Sequence, residues 1–246
     1  MKGAPNGAAA QGPRQATPEL TADGQQLGGL FMIPPTRRYV CLLAVLSCIP
    51  LLVLSRAWAI EPHGEFLAGN RARYSTAGNP KAKGLTITME YPLSWKAKPG
   101  ERPNIPQTFV SENGKGLEMA TLLIRELPTG APPSESEIAE LFTPQALREL
   151  LPKSTTVLEV RSLKVDGLPG GWVHYEMQMN RVGVEMVMIG ERYITYFDRR
   201  LIDVQFGVGG LASDDRARLE ARYREFAPLF RLMANSLIIH DRYPTP

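Results

Sequence analysis

Strand-like runs, interrupted by a short helical stretch and closed by a long one, place this 246-residue chain in the α+β class. The expected architecture is a mostly antiparallel β-sheet flanked by helices, an α/β/α sandwich. Three observations predict it. Leu85–Tyr91 alternates apolar and polar residues with period two. Four strand-like stretches follow one another between Thr156 and Val208, with joints too short for a parallel crossover. Helical spacing is confined to the stretch from Ser134 to Leu151 and to the region after Ser213.

In "LTITMEY", Leu85, Ile87, Met89 and Tyr91 share one face and Thr86, Thr88 and Glu90 the other. Pro92 ends the strand, because it has no N–H to give to a ladder. After a Pro-rich loop, Lys98–Pro106, "QTFVSE" predicts a short strand. "ENGKG" predicts a hairpin turn with Asn113-Gly114 at positive φ, and "LEMATLLIREL" the returning strand. Ser134 and Glu137 have capping-box spacing. Thr143-Pro144 starts a second helix with Leu147, Leu150 and Leu151 inward, and Pro152 stops it.

The four strands of the meander are expected at Thr156–Val165, Gly171–Arg181, Gly183–Phe197 and Leu201–Val208. Ser213 is expected to cap the closing helix, with Asp214 and Asp215 in its first turn, where the helix dipole favours them. Leu219, Phe226, Phe230 and Met233 form its inward stripe, and Pro228 is expected to split it in two. Trp95 and Trp172 are expected to be largely buried.

The N-terminal quarter reads as an address. Arg37-Arg38, the apolar run Val40–Leu54 and Ala57-Trp58-Ala59 follow the order of a secretory signal. The run from Tyr39 to Leu54 is 16 residues and contains Pro50, short of the roughly 20 apolar residues of a spanning helix. Cleavage after Ala59 is therefore expected. The alternatives are a retained anchor and a lipoprotein site at Val45-Leu46-Ser47-Cys48, though apolar rather than polar residues follow Cys48. Residues 1–31 are rich in Gly, Ala, Pro and Gln and are expected to be disordered. Translation from Met32 in place of Met1 gives a compact signal at 32–59. Residues 60–83, with scattered Gly, Asn and Pro, are expected to be a linker or irregular arm, and 84–246 the folded domain.

Export changes the composition. The chain has 28 basic and 25 acidic side chains. Five of the basic ones (Lys2, Arg14, Arg37, Arg38 and Arg56) and two of the acidic ones (Glu19 and Asp23) precede Ile60, which leaves 23 of each. A neutral mature chain gives no reason to expect nucleic-acid binding. Both cysteines, Cys41 and Cys48, leave with the signal. The exported domain is then held by its core, without disulfides or thiolate metal sites.

"YPLSW", the "FVSENG" hairpin, "VDGLPGGWVHYE" and a closing helix ending "LMANSL" are similar to the PsbP-like superfamily, over roughly Leu85–Ile239. That group includes extrinsic photosystem subunits, Ran-binding Mog proteins and bacterial DcrB-type exported proteins. The resemblance implies a sheet sandwiched between helices and an accessory or binding role. It supplies no shared active site.

In "GWVHYEMQM", Trp172, His174, Glu176 and Gln178 share one strand face, and Val173, Tyr175, Met177 and Met179 the other. His174 and Glu176 are weak candidates for a metal pair, and a zinc site asks for a third ligand. His63 falls in the expected arm and His240 in an expected tail. "FGVGGLASDD" lacks the spacing of a phosphate loop, and two aspartates there repel an anion, so it reads as turn and cap. There is no G-x-S-x-G or H-E-x-x-H motif. Met177, Met179, Met186 and Met188 pair by face as core packing rather than as a thioether site. The first function expected is an exported, non-catalytic accessory or binding protein that docks onto an envelope or membrane-bound protein complex, with no cofactor. The alternative is a small exported hydrolase or metal-dependent enzyme centred on His174 and Glu176.

N-terminal sequencing of the protein from the envelope fraction is expected to start at Ile60. A lipidated Cys48 at the terminus would establish the lipoprotein, and an intact 37–59 segment the anchor.

Overall fold

The structure, a computed structural model, describes residues 62–127, 133–181 and 183–243. The expected extension 1–31 and the signal 32–59, with Cys48, Ala57 and Ala59, lie outside the described residues.

The folded unit begins earlier than the sequence predicts. In place of a linker or irregular arm over 60–83 there is a helix, α1 (Pro62–Leu67), and a strand, β1 (Arg71–Ser75). Phe66 is buried in the main core. β1 pairs antiparallel with β2 (Ile87–Pro92), from Arg71↔Pro92 to Ser75↔Thr88. Arg71 and Arg73 both reach the Glu90 carboxylate, at 3.0 and 2.9 Å. Asn79 then caps a 3-10 turn at Pro80–Ala82. One buried ring and one five-residue strand fix this segment, too little for a periodic signal.

The remaining strands are β3 (Lys96–Pro99), β4 (Gln107–Val110), β5 (Glu118–Glu126), β6 (Thr155–Val165), β7 (Leu168–Arg181), β8 (Val184–Phe197), β9 (Arg200–Leu211) and β10 (Ile238–Ile239). Seven form one antiparallel sheet in the order β3-β4-β5-β9-β8-β7-β6. β1, β2 and β10 form a smaller antiparallel sheet. β3 was not expected, because it lies partly in the Pro-rich loop. The hairpins are tight: Asp166-Gly167 joins β6 to β7 and Asp198-Arg199 joins β8 to β9, all four residues at positive φ. Asn113 (φ 55°) and Gly114 (φ 89°) have the positive φ expected of them, and Glu112 joins them at φ 48°.

The helices lie on both faces of the large sheet. On one face, α2 (Glu135–Leu141) and α3 (Pro144–Glu149) bring Phe142 and Leu147 onto Val173, Tyr175, Ile194 and Tyr196. Ser134 and Glu137 form the expected capping box, and Thr143 caps α3 with Pro144 at its start. Leu147 comes so close to β7 that a Cβ on Gly171 would lie 2.4 Å from its Cδ2, which explains the glycine there.

On the other face lies α4 (Arg216–Asn235), with Leu219, Tyr223, Phe226, Leu229, Phe230 and Met233 buried. They meet Leu122, Ile124, Ile189, Ile202, Val204 and Phe206 of the sheet. Phe230 stacks on Phe206 with ring centroids 5.2 Å apart.

Three details of the closing region differ from expectation. The cap of α4 is Asp215, which accepts from the Ala217 N–H, rather than Ser213. Asp214 precedes the helix and accepts from the Leu211 N–H. Ser, Asp and Asn cap about equally well, so the point at which the chain leaves β9 and enters the helix decides which residue caps it. α4 runs unbroken through Pro228. Pro228 is exposed, so the carbonyl it leaves unbonded is open to water, and buried residues on either side hold both halves to one sheet. Trp172 is half-buried rather than largely buried: the Arg161 guanidinium covers its ring at 5.1 Å. Trp95 is buried as expected.

The glycines of "FGVGG" belong to β9 and only the residues after Leu211 form turn and cap. Met177 faces Met188 and Met179 faces Met186 across β7 and β8, and Met177, Met179 and Met188 belong to the α2–α3 core.

Phe230→Ala is expected to cost about 3–5 kcal/mol and to lower the calorimetric melting temperature strongly. A drop of a degree or two would mean that α4 is not held by this ring.

Candidate functional site

Strand alternation places Trp172, His174 and Glu176 on one face of β7, as the sequence predicts, and α4 packs on that face. The His174 ring stacks on Tyr223 of α4 with centroids 4.5 Å apart and planes 11° from parallel. The Trp172 ring centroid lies 6.0 Å from that of His174. His174 Nε2 is buried without a hydrogen-bond partner among the described residues. Burial pulls the imidazole pKa down, against the pull of the Glu159 and Glu220 carboxylates. Glu176 Oε2 lies 2.9 Å from the Arg216 guanidinium at the first turn of α4, an ion pair without hydrogen-bond geometry.

The other histidines do not join them. His63 sits on α1, and His240 meets the Thr88 hydroxyl at 2.9 Å where the C-terminus returns to β2. Among the described residues no three His, Cys, Asp or Glu side chains gather as a metal would require.

Beside His174 lies a group that sequence reasoning missed. Glu191 of β8 stands opposite His174 in the β7–β8 register. Its carboxylate is buried and accepts from Trp172 Nε1 at 3.0 Å, the Tyr223 hydroxyl at 3.0 Å and the Tyr193 hydroxyl at 3.2 Å. Burial pushes its pKa up, while the three donors pull it down. The signal was one glutamate inside the long apolar run "MVMIGERYITYF". Only register and the arrival of Tyr223 reveal its partners. On the opposite sheet face, Arg192 and Asp203 form a fully buried pair through two hydrogen bonds, with Gln205 donating to Asp203 at 3.0 Å. Both clusters use their polar atoms on neighbouring secondary elements.

The open concavity lies elsewhere. A two-chambered cleft runs along the exposed flank of α4, facing the β4–β5 turn and α1. One chamber, about 700 Å³, reaches from Glu112 and Lys115 to Asp214, Asp215 and Arg218. The other, about 480 Å³, lies between α1, Trp95 and Phe226. Both contain Glu112, Glu118, Arg222 and Glu225. Glu118 is buried at the junction. It accepts from Arg222 Nε at 2.8 Å and from the Ser111 hydroxyl. One exposed leucine, Leu117, lines the cleft.

No family model and no curated protein matches the chain. Several solved structures are similar to it. PsbP (CyanoP) of Synechocystis sp. PCC 6803 has a TM-score of 0.43 at 15% identity, over 69% of this chain and 92% of its own. The Ran-binding protein Mog1p of Saccharomyces cerevisiae has a TM-score of 0.42 at 11% identity, over 69% and 95%. LpqN of Mycobacterium tuberculosis, involved in cell envelope biogenesis, has a TM-score of 0.40 at 12% identity, over 72% and 95%. The likeness is one of fold alone.

The lowered pKa of His174 has a measurable sign. The unfolded chain takes up a proton below the ordinary value of 6.5, while the folded ring resists it. Stability from this group is therefore present above that pH and is lost as pH falls towards the folded-state value. In chemical denaturation from pH 7.5 to 5, the wild type is expected to lose stability relative to His174→Gln below about pH 6.5. Parallel curves for the two proteins would mean that the ring is solvated in the folded state.

Proposed function

We propose that this chain is an exported, non-catalytic binding or accessory protein that docks onto an envelope or membrane-bound protein complex. The observation that carries this reading is the separation of the candidate catalytic centre from the open surface. His174, Glu176 and Glu191 tie α4 to the sheet through a ring stack, an ion pair and one hydrogen bond, from the Tyr223 hydroxyl. The cleft is instead lined by charged side chains together with Pro62, Ala68 and the exposed Leu117, a mixture suited to a protein partner. Export rests on the sequence of 32–59, with its Ala57-Trp58-Ala59 end. The neutral charge balance after Ile60 speaks against nucleic acid as the partner.

A small hydrolase or metal-dependent enzyme centred on His174 and Glu176 is the second reading. The unpartnered His174 Nε2 favours it, since a general base needs a free nitrogen. Against it, that nitrogen is closed to solvent and Glu176 is committed to Arg216. A base must come within hydrogen-bond reach of the proton it takes.

Affinity purification from envelope fractions is expected to recover a stoichiometric protein partner with both wild type and His174→Gln. Neither protein should turn over ester, amide or phosphoester substrates, and zinc or copper should leave both melting temperatures unchanged. A hydrolytic activity lost by roughly 10²–10⁴-fold in a folded His174→Gln variant would replace this reading with the second.

A further inference from the structure

We propose that the chamber between α1 and α4 receives a lysine or arginine side chain from the protein partner, with an apolar neighbour of that side chain resting on the exposed Leu117 of the adjoining chamber. This rests on the binding reading above and names the chemistry of the segment bound.

The chamber holds four carboxylates, Glu65, Glu112, Glu118 and Glu225, and one cation, Arg222. Its formal balance is four negative charges against one positive. Arg222 is already divided between Glu118 at 2.8 Å and Glu225 at 3.2 Å. Glu65 accepts from the Ser94 N–H and hydroxyl, neither of them a cation. Glu112 is exposed and makes no side-chain hydrogen bond or ion pair among the described residues. A concave wall with surplus charge of one sign concentrates its field and draws in the opposite charge.

The walls select the form of that cation. Among the described residues the carboxylates do not gather as ligands of a bare ion. Pro62, Ala68, Trp95 and Phe226 supply apolar surface beside them. A long side chain with an aliphatic stem and a charged head matches both kinds of wall. Arg222 shows the mode within the molecule, its guanidinium lying 4.6 Å from the Phe226 ring centroid while it bonds two carboxylates.

The adjoining chamber gives a bound segment room to continue along α4, and Leu117 in its wall offers an apolar contact. An anionic lipid surface fits poorly, because the surplus charge has its own sign. A basic segment also finds here the electrostatic attraction that speeds association.

The test is an amide NMR titration of the purified protein with two probes, N-acetyl-Leu-Arg-amide and N-acetyl-Leu-Glu-amide. The Leu-Arg probe should give saturable shifts at Ser94, Trp95, Ser111–Gly116 and along α4 from Arg218 to Phe226, and the Leu-Glu probe none. Glu112→Lys should weaken Leu-Arg binding on the order of tenfold, as a like charge at the site does. It should leave the melting temperature close to wild type, because Glu112 has no internal partner to lose. Equal shifts with both probes, shifts confined to another face, or no saturation at tens of millimolar would overturn the proposal. So would stronger binding to phosphatidylglycerol vesicles than to phosphatidylcholine vesicles, with shifts at these same residues. A partner that copurifies yet cross-links only through α2 and α3 would overturn this assignment and leave the binding reading standing.

Discussion

The seating of α4 on the large sheet is the contact on which the other features depend. Leu219, Tyr223, Phe226, Phe230 and Met233 form a stripe at helical spacing, and the sheet answers with the α4-facing residues of β5, β8 and β9. A single helix of 20 residues draws most of its stability from such burial rather than from propensity. That is why it survives Pro228, whose interior position costs about 3 kcal/mol in an isolated helix. The same seating brings Tyr223 over His174 and onto Glu191, and holds Arg222 against Glu118. The polar cluster and the cleft are thus two sides of one helix. Its inner face is spent on the sheet, and its flank lines the cleft.

This arrangement explains why a buried carboxylate is tolerated at Glu191. An unpaired buried charge is costly, and a buried acceptor left unsatisfied costs about 1–3 kcal/mol or more. Three donors from two rings of the sheet and one of α4 surround it. Because the third donor belongs to α4, the carboxylate also discriminates between the native seating and one shifted by a helical turn. A purely apolar interface would accept either more readily. The Arg192–Asp203 pair sits in the same strands on the opposite face, and both groups lie where β8 and β9 are buried from both sides.

Local chemistry made much of the fold legible. The alternation of Leu85–Tyr91, the capping box at Ser134, the Asn113-Gly114 turn and the spacing of Phe226 and Phe230 each follow from residues close in sequence. What escaped needed a distant partner. Residues 62–83 have no period, because they are fixed by Phe66 entering the core and by Glu90 across the ladder. Ser213, Asp214 and Asp215 are all acceptable caps, and only the exit from β9 decides among them. Trp172 lies on a face that the sequence does mark, but its depth depends on how far α4 and Arg161 reach over β7 and β6. His174 and Glu176 were legible as a shared face and as nothing more. The structure gives each a separate partner on α4.

The cleft was beyond any local reading for a further reason. Its walls come from α1, the turn before β3, the β4–β5 turn and α4, segments separated by up to the length of the domain. Glu65, Glu112 and Glu225 come from three segments far apart in the sequence. The strained turn that presents Glu112 was signalled only at Asn113-Gly114, and positive φ at the glutamate itself is unusual for a residue with a long side chain. Strain of that kind persists where surrounding contacts over-determine it. Here the Asn113 N–H bonds the Ser94 carbonyl, while Lys115 and Gly116 return to the Ser111 carbonyl. The turn is therefore pinned both to the neighbouring loop and to its own base, and the carboxylate of Glu112 lines the cleft without a side-chain hydrogen bond or ion pair among the described residues. A position fixed by the backbone and left open at the side chain is what a preorganised recognition surface requires, since little further ordering accompanies the arrival of a partner.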